Sequence, residues 1–221
     1  MITDEHIAFI KNHLPKYLSR EQTESLFSSL KTDFPYSNNP DKIYVELVDK
    51  SIFYQGDGII EIPFSTINLE NQSFDCIYRK GAVLSNTCDI DPTNERNYLP
   101  FALFGSIYEL APFLKYMNEN KIKPERINNF ENDLRKNQIS TLFYLPEIIR
   151  EDETYFPESF IRFDETTSLP VNFINNNNYN KEYLHKDGDR IYTLSNYGFY
   201  LFIFKLSVHF CRFREGVFRV A

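Results

Sequence analysis

Ala82, Val83 and Leu84 follow one another with no polar residue between them. That run restricts the fold more than any other feature of the chain. A strand with one solvated face alternates apolar and polar residues, whereas a strand apolar at consecutive positions is covered on both faces. The stretch "GAVLSNTCDI" therefore reads as a buried central strand. Its neighbours carry the period of two that half-buried strands show, in "KIYVELVD" and "IIEIPF". "YQGDG" supplies a turn, and its Gly56 and Gly58 suit backbone positions with positive φ. "FDCIY" leads into the central run, "DPTNERN" turns the chain, and "YLPFALFGSIYEL" returns as a further strand. Strand, loop, strand, turn and strand in close succession predict a small antiparallel barrel or sheet.

Helices flank this nucleus. Ile7, Phe9, Ile10 and Leu14 have helical spacing, and "SREQ" from Ser19 to Gln22 matches a capping box ahead of Leu26, Phe27 and Leu30. Pro35 and Pro40 end that pair, which reads as a packing cap. Residues 111–138 read as helical, with Pro124 at a helix start and Ile127, Phe130 and Leu134 three and four apart. "TLFYLPEI" and "SFIRFDE" add strands. The closing helix would begin at a Ser195 cap and bury Phe199, Phe202, Ile203, Leu206 and Phe210 along one face. The expectation is a single α+β domain over 1–221. It has an N-terminal helical cap at 1–40 and a barrel nucleus at 41–110. A helix, further strands and the closing helix occupy 111–221.

The chain carries a formal net charge of -7, so it repels nucleic acid on average, although a local basic group can still bind it. Its three cysteines, Cys76, Cys88 and Cys211, have no short paired spacing, which points to a reducing cytoplasm. "MITDEHIAFI" lacks the basic start and apolar stretch of a secretory signal. "YGFYLFIFKLSVHF" is broken by Lys205 and His209 and is too short and polar to span a bilayer. A cytoplasmic protein without membrane contact is expected. With 21 Phe, 15 Tyr and no Trp, the core must be largely aromatic, with tyrosine hydroxyls reaching polar partners.

Three groups can carry chemistry. In the first, "SNTCDID", strand alternation would set Ser85, Thr87 and Asp89 on one face and Asn86, Cys88 and Ile90 on the other. A cysteine nucleophile needs a base, usually histidine, yet His6, His13, His185 and His209 are remote in sequence. Cys88 is thus expected to be a small buried hydrophobe that reacts slowly with thiol reagents. The second group is metal-like. "DIDPTNE" spaces Asp89, Asp91, Thr93 and Glu95 at alternate positions but lacks the glycine and final carboxylate of a calcium loop. "HKDGD" (185–189) spells an Asp-Gly turn as readily as a site. No metal ligand set and no cofactor is expected. The third group pairs cations with hydroxyls: Arg79 and Lys80 before the central strand, Ser85 and Thr87 on it, and Arg96 in the adjoining turn. Arginine offers a fork to phosphate and hydroxyls orient its oxygens, while the plain alternative is a strand flanked by solvated charges.

The succession "GDGIIEIPF" (56–64), "YRKGAVLSNTCDID" (78–91) and "NYLPFALF" (97–104) resembles the PemK/MazF-like toxins. The resemblance implies an SH3-like small antiparallel β-barrel that dimerises and cuts single-stranded RNA without metal, using an arginine and a nearby hydroxyl. Arg79 would match the family's arginine and Ser85 its strand-end serine. Lys80 and Gly81 replace the family's proline, and the return strand "PFALF" has no counterpart to its threonine. "LSNTCDI" (84–90), "FYLP" (143–146) and "RIYTLSNYGFYLF" (190–202) also resemble a group of larger bacterial proteins, some with genes near mobile-element or phage-defence genes.

Two function classes follow. One is a non-catalytic interaction module of a toxin–antitoxin or phage-defence type system, binding a protein (an antitoxin, for instance) or a nucleotide. The other is a metal-independent endoribonuclease with Arg79, Ser85 and Thr87 as catalytic residues and Lys80 and Arg96 as binding residues. The acidic balance and the missing threonine favour the module.

Overall fold

The computed structural model describes residues 39–46, 52–69, 71–91, 93–175 and 190–211, together with Glu21, Glu24 and Ser28. Most of the expected N-terminal cap, its Ser19–Gln22 box and the "HKDGD" stretch lie outside the described residues.

In chain order the elements are α1 (Pro40–Ile43), β1 (Tyr44–Val45), β2 (Gly58–Asn68), β3 (Ser73–Val83), α2 (Thr87–Ile90) and β4 (Phe101–Glu109). There follow α3 (Leu110–Glu119), α4 (Pro124–Arg135), β5 (Leu142–Leu145), β6 (Ile148–Arg150) and β7 (Glu153–Phe156). Last come β8 (Ser159–Pro170), α5 (Val171–Asn175), β9 (Arg190–Leu194) and α6 (Asn196–Cys211). Seven strands form one sheet in the order β1-β9-β2-β3-β4-β8-β5, and β6 pairs with β7 apart from it. Every neighbouring pair runs antiparallel. The fold is thus α+β on an antiparallel sheet. Its order has two ends, and among the described residues no ladder joins β1 to β5. The ends nevertheless come within side-chain reach, where the Tyr44 hydroxyl donates to the Pro146 carbonyl at 2.8 Å.

The contiguous apolar run is buried on both faces as expected: Ala82, Val83 and Leu84 are all in the core. The strand is longer at its start and shorter at its end than "GAVLSNTCDI" suggested, since β3 runs unbroken from Ser73 and stops at Val83. Bulges let the long strands bend. One lies in β2 between Ile59 and Ile62, with Glu61 at φ 56, and another shifts the β4–β8 register at Gly105/Ser106.

The largest core cluster joins α6 to β5, β8 and β9, through Phe143, Phe163, Ile191, Leu201 and Phe202. Phe202 meets Phe143 and Phe163 in edge-on contacts at 5.4 and 5.7 Å. Ser195 does cap α6, accepting from the Gly198 amide at 3.1 Å. Gly198 is needed there because a Cβ would run into the Ile43 carbonyl of α1. The buried face of α6 differs from the expected stripe. Tyr197, Leu201, Phe202, Lys205 and Leu206 are buried, whereas Phe210 is 60% exposed. Lys205 fits because its ammonium donates to the carbonyls of Asn137 and Ile139 at 2.6 and 2.7 Å, satisfying the chain just past α4. Burial still pushes its pKa down to about 8.

Candidate functional site

The "SNTCDID" row is not a strand. Asn86 accepts from the Cys88 amide at 2.9 Å and caps the short helix α2. Alternation therefore fails beyond Val83, and Asn86 marks the break, because its side chain offers the backbone a local partner in place of a ladder. Ser85 Oγ accepts from the Leu103 amide at 2.8 Å. Thr87 Oγ1 accepts from the Gln55 amide at 2.9 Å, while Gln55 Nε2 donates to the Leu84 carbonyl at 2.7 Å. Both hydroxyls thus tie the turn before β2 and the start of β4 to the end of β3. Arg96 Nη2 donates to the Cys88 carbonyl at 2.8 Å and pairs with Asp89 at 3.1 Å. Cys88 itself is exposed, which corrects the expectation of a buried thiol. A helical turn at a sheet end projects it outward, where a continued β3 would have kept it in the core. The Asp91 carboxylate accepts from the Thr93 amide and hydroxyl at 2.8 and 2.7 Å, and these bonds lower its pKa. Among the described residues no cluster of three His, Cys, Asp or Glu side chains is placed to hold a metal. No described helix is long and apolar enough to cross a membrane.

Arg79 lies elsewhere, six residues up β3 from Ser85, a span of up to about 20 Å in an extended strand. Gly81 pairs with Ser106, so Arg79 falls beside Tyr108 of β4. Its guanidinium donates to the Tyr108 hydroxyl and pairs with Glu165 at 3.2 Å. Tyr108 donates to Glu165 at 2.8 Å, and Arg162 reaches the same carboxylate at 3.3 Å. The two guanidinium carbons sit 4.7 and 5.7 Å from the Tyr108 ring centre, and that ring stacks on the buried Phe160. Arg162 also grips Asp164 with two bonds at 3.1 and 2.9 Å, and this pairing lowers the Asp164 pKa. Lys80, next along the strand, points to the opposite face and pairs with Glu109 at 2.6 Å. The five residues singled out from sequence are therefore dispersed into three places: Arg79 with Tyr108, Arg162 and Glu165; Lys80 with Glu109; and Ser85, Thr87 and Arg96 around α2. Tyr108, Arg162 and Glu165 were missed, because only the pairing of β4 with β3 and β8 brings them to Arg79.

A buried ion pair was also missed. Asp57, in the "GDG" read only as a turn, is fully buried. Its Oδ2 accepts from the Tyr54 amide at 2.9 Å and lies 3.3 Å from Arg190 Nε at the start of β9. Burial raises the Asp57 pKa to about 6, opposed by Arg190, the Tyr54 amide and the Thr193 hydroxyl.

No protein-family model matches the chain, and no curated protein matches it.

The most distinctive surface belongs to the outer half of the β2–β3 hairpin. Phe64 to Asn68 pair with Ser73 to Ile77, and Pro63 with Tyr78. Alternation places Ile67, Phe74, Cys76 and Tyr78 on one face, and Leu69 follows in the turn just beyond the end of β2. Ile67 is 61% exposed, Leu69 85%, Phe74 79% and Tyr78 58%, and Cys76 is exposed among them. Among the described residues this arm is two strands wide, because β3 joins β4 only at Gly81–Val83 and β2 joins β9 only at Gly58 and Ile59.

Proposed function

We propose that the chain is a non-catalytic interaction module, of the kind found in bacterial toxin–antitoxin or phage-defence systems, and that it takes a partner protein on the apolar face of the β2–β3 arm. The observation that carries this is the contiguous exposure of Ile67, Leu69, Phe74 and Tyr78. A patch of large apolar side chains left in water marks an interaction surface. Each such side chain contributes roughly 1.5–3 kcal/mol when fully covered. The candidate cations support the same reading. Arg79, Lys80 and Arg96 are each paired with a carboxylate, so none offers an unopposed charge to an RNA backbone. The bent sheet, with Tyr44 bridging toward Pro146, supports a small barrel of the SH3-like type as the scaffold. The test is titration calorimetry of the purified chain against the products of its neighbouring genes. Tight binding that is lost in Leu69→Ser and Phe74→Ser is expected; binding that both variants retain would remove the arm from the interface.

One observation favours a second reading, metal-independent cleavage of single-stranded RNA. Glu165 holds a carboxylate beside two guanidiniums and a phenol, groups able to move a proton and steady a phosphate. Incubation with a mixed RNA pool in the presence of a chelator decides it. Site-specific cleavage that vanishes in Arg79→Ala would replace the module reading, and an intact pool with the native chain would end the nuclease one.

A further inference from the structure

The arm has two long edges, and they are not equivalent. On β2, Pro63, half-buried between the buried Ile62 and Phe64, has no N–H to give a neighbouring strand, a device that blunts an edge. The outer edge of β3 from Ser73 to Tyr78 holds no proline and meets no strand among the described residues. The direction of its backbone groups follows from two bonds further along. The Val83 amide donates to Asp57 on the β2 side, at 2.9 Å, and the Leu84 amide donates to Leu103 on the β4 side, at 2.8 Å. The bulge in this hairpin lies on β2, at Ile59/Ile62, where β3 continues residue by residue. Counting back in steps of two, the N–H and C=O groups of Phe74, Cys76 and Tyr78 point to the open edge. Pro63 agrees with this count, since it lies opposite Tyr78 and can fill only a position that makes no bond across the hairpin.

We infer that a second copy of this chain pairs antiparallel along β3, with the two-fold axis at Cys76. The sequence around that point is self-complementary. The pairing sets Phe74 opposite the partner's Tyr78 twice over, Cys76 opposite its own copy and Asp75 opposite Ile77, and it stops short of Arg79, which lies beside Tyr108 of β4. Cross-strand aromatic pairs stabilise such a ladder, and no like charges are opposed. A two-stranded hairpin is marginal by itself, and the pairing turns two arms into one four-stranded sheet. The apolar faces of both arms then lie on the same side, so the dimer doubles the surface offered to a partner protein. The inference rests on the edge of the arm and not on what covers its face.

Sedimentation equilibrium of the full chain from 1 to 200 µM tests it, beside oxidation with copper-phenanthroline of a Cys88→Ser/Cys211→Ser background. The expected mass is twice 26.3 kDa at the upper concentrations. Opposed residues in a hydrogen-bonded antiparallel pair stand about 5.5 Å apart, within the span of a disulfide, so Cys76 is expected to cross-link to its copy. Cys76→Lys sets two ammonium groups against each other at an exposed position, and is expected to weaken the dimer at least tenfold while leaving the thermal midpoint of the dilute, monomeric chain unchanged. A monomer throughout the range, a dimer that Cys76→Lys leaves intact, or a dimer whose Cys76 thiols do not join would overturn the inference. A monomer that still loses its partner protein through Leu69→Ser would overturn the dimer alone and leave the arm-face reading standing.

Discussion

The two halves of β3 belong to one unbroken strand and meet opposite surroundings. Gly81, Ala82 and Val83 are buried, enclosed by β2 on one side and β4 on the other. Phe74 to Tyr78 carry as much apolar surface and stand in solvent. Both halves pair with β2, the outer half residue by residue and the inner half across the bulge at Ile59/Ile62, so neither lacks a partner on that side. What differs is the second neighbour: the inner half has β4, and the outer half has none among the described residues. An apolar pattern in sequence reports a surface that gains by being covered. It does not report whether the cover comes from the same chain.

The comparison breaks most sharply if the two halves respond alike to truncation of an aromatic ring. Phe202 of α6 is fully buried against Phe143 and Phe163. Phe202→Ala is expected to cost about 3–5 kcal/mol, a large part of a typical stability of about 5–15 kcal/mol. Denaturant titration against Phe74→Ala measures the gap. A loss above about 2 kcal/mol for Phe74→Ala would mean that the arm packs as a core element.

This contrast also separates what could be read from sequence from what could not. The Ala82–Leu84 run, the return strand over Phe101–Glu109 and the Ser195 cap were legible, because each depends on local pattern and one principle of burial or capping. The end of β3 was not. "SNTCDI" alternates well enough for a strand, and the bond from the Cys88 amide to Asn86 turns the chain instead. The Arg79 group was half legible: the arginine stood out, but Tyr108 and Glu165, 29 and 86 residues away, reach it only through strand register. Lys205 read as a polar break in the apolar run of the closing helix, and is buried because two distant carbonyls receive it.

The second prediction concerns the inner half, where the end of β3 is held by the turn around Asp57. The folded pKa of that carboxyl, about 6, lies above its ordinary 3.8. Between these values the folded state holds more protons than the unfolded one, so stability from this group falls as pH rises through the window. It is highest below about pH 4 and lowest above about pH 6, a difference of roughly 3 kcal/mol. Denaturant midpoints from pH 4 to 7 compare the native chain with Asp57→Asn, which keeps an acceptor for the Tyr54 amide but does not titrate. The variant is expected to lack this fall with pH. Equal slopes in the two proteins would show that Asp57 titrates as a solvated carboxylate.

A smaller effect is expected where β3 gives way to α2. Thr87→Val keeps the shape of the side chain and removes the acceptor for the Gln55 amide, leaving a part-buried donor without its bond. The cost is expected at about 1–2 kcal/mol in thermal or denaturant unfolding. Next to it, exposed Cys88 is expected to react with a maleimide in the native state at a rate close to that of Cys76, as followed by mass spectrometry. A stable Thr87→Val variant, or a Cys88 protected until unfolding, would place this row in the core after all.

The smallest stability effect belongs to the tip of the arm, and there a null result in folding is what gives the comparison its meaning. Leu69 is 85% exposed, so Leu69→Ser removes little that folding has buried, and surface substitutions of this kind usually stay within about 0.5 kcal/mol. The same change takes away one of the four large apolar side chains proposed to meet a partner. Anchors that become fully covered at an interface commonly cost more than about 1 kcal/mol when truncated, or about fivefold or more in affinity. Stability and binding are thus expected to separate at Leu69, where at Phe202 they fall together. The measurement is a paired one on the same preparations: unfolding by denaturant, and calorimetric affinity for the partner protein. If Leu69→Ser lowers stability by more than about 1 kcal/mol, the residue is held by contacts of the folded chain, and its exposure is no sign of a partner. If it changes neither quantity, the apolar face ends short of the tip, at Ile67 and Phe74, and the contact surface contracts to the middle of the arm.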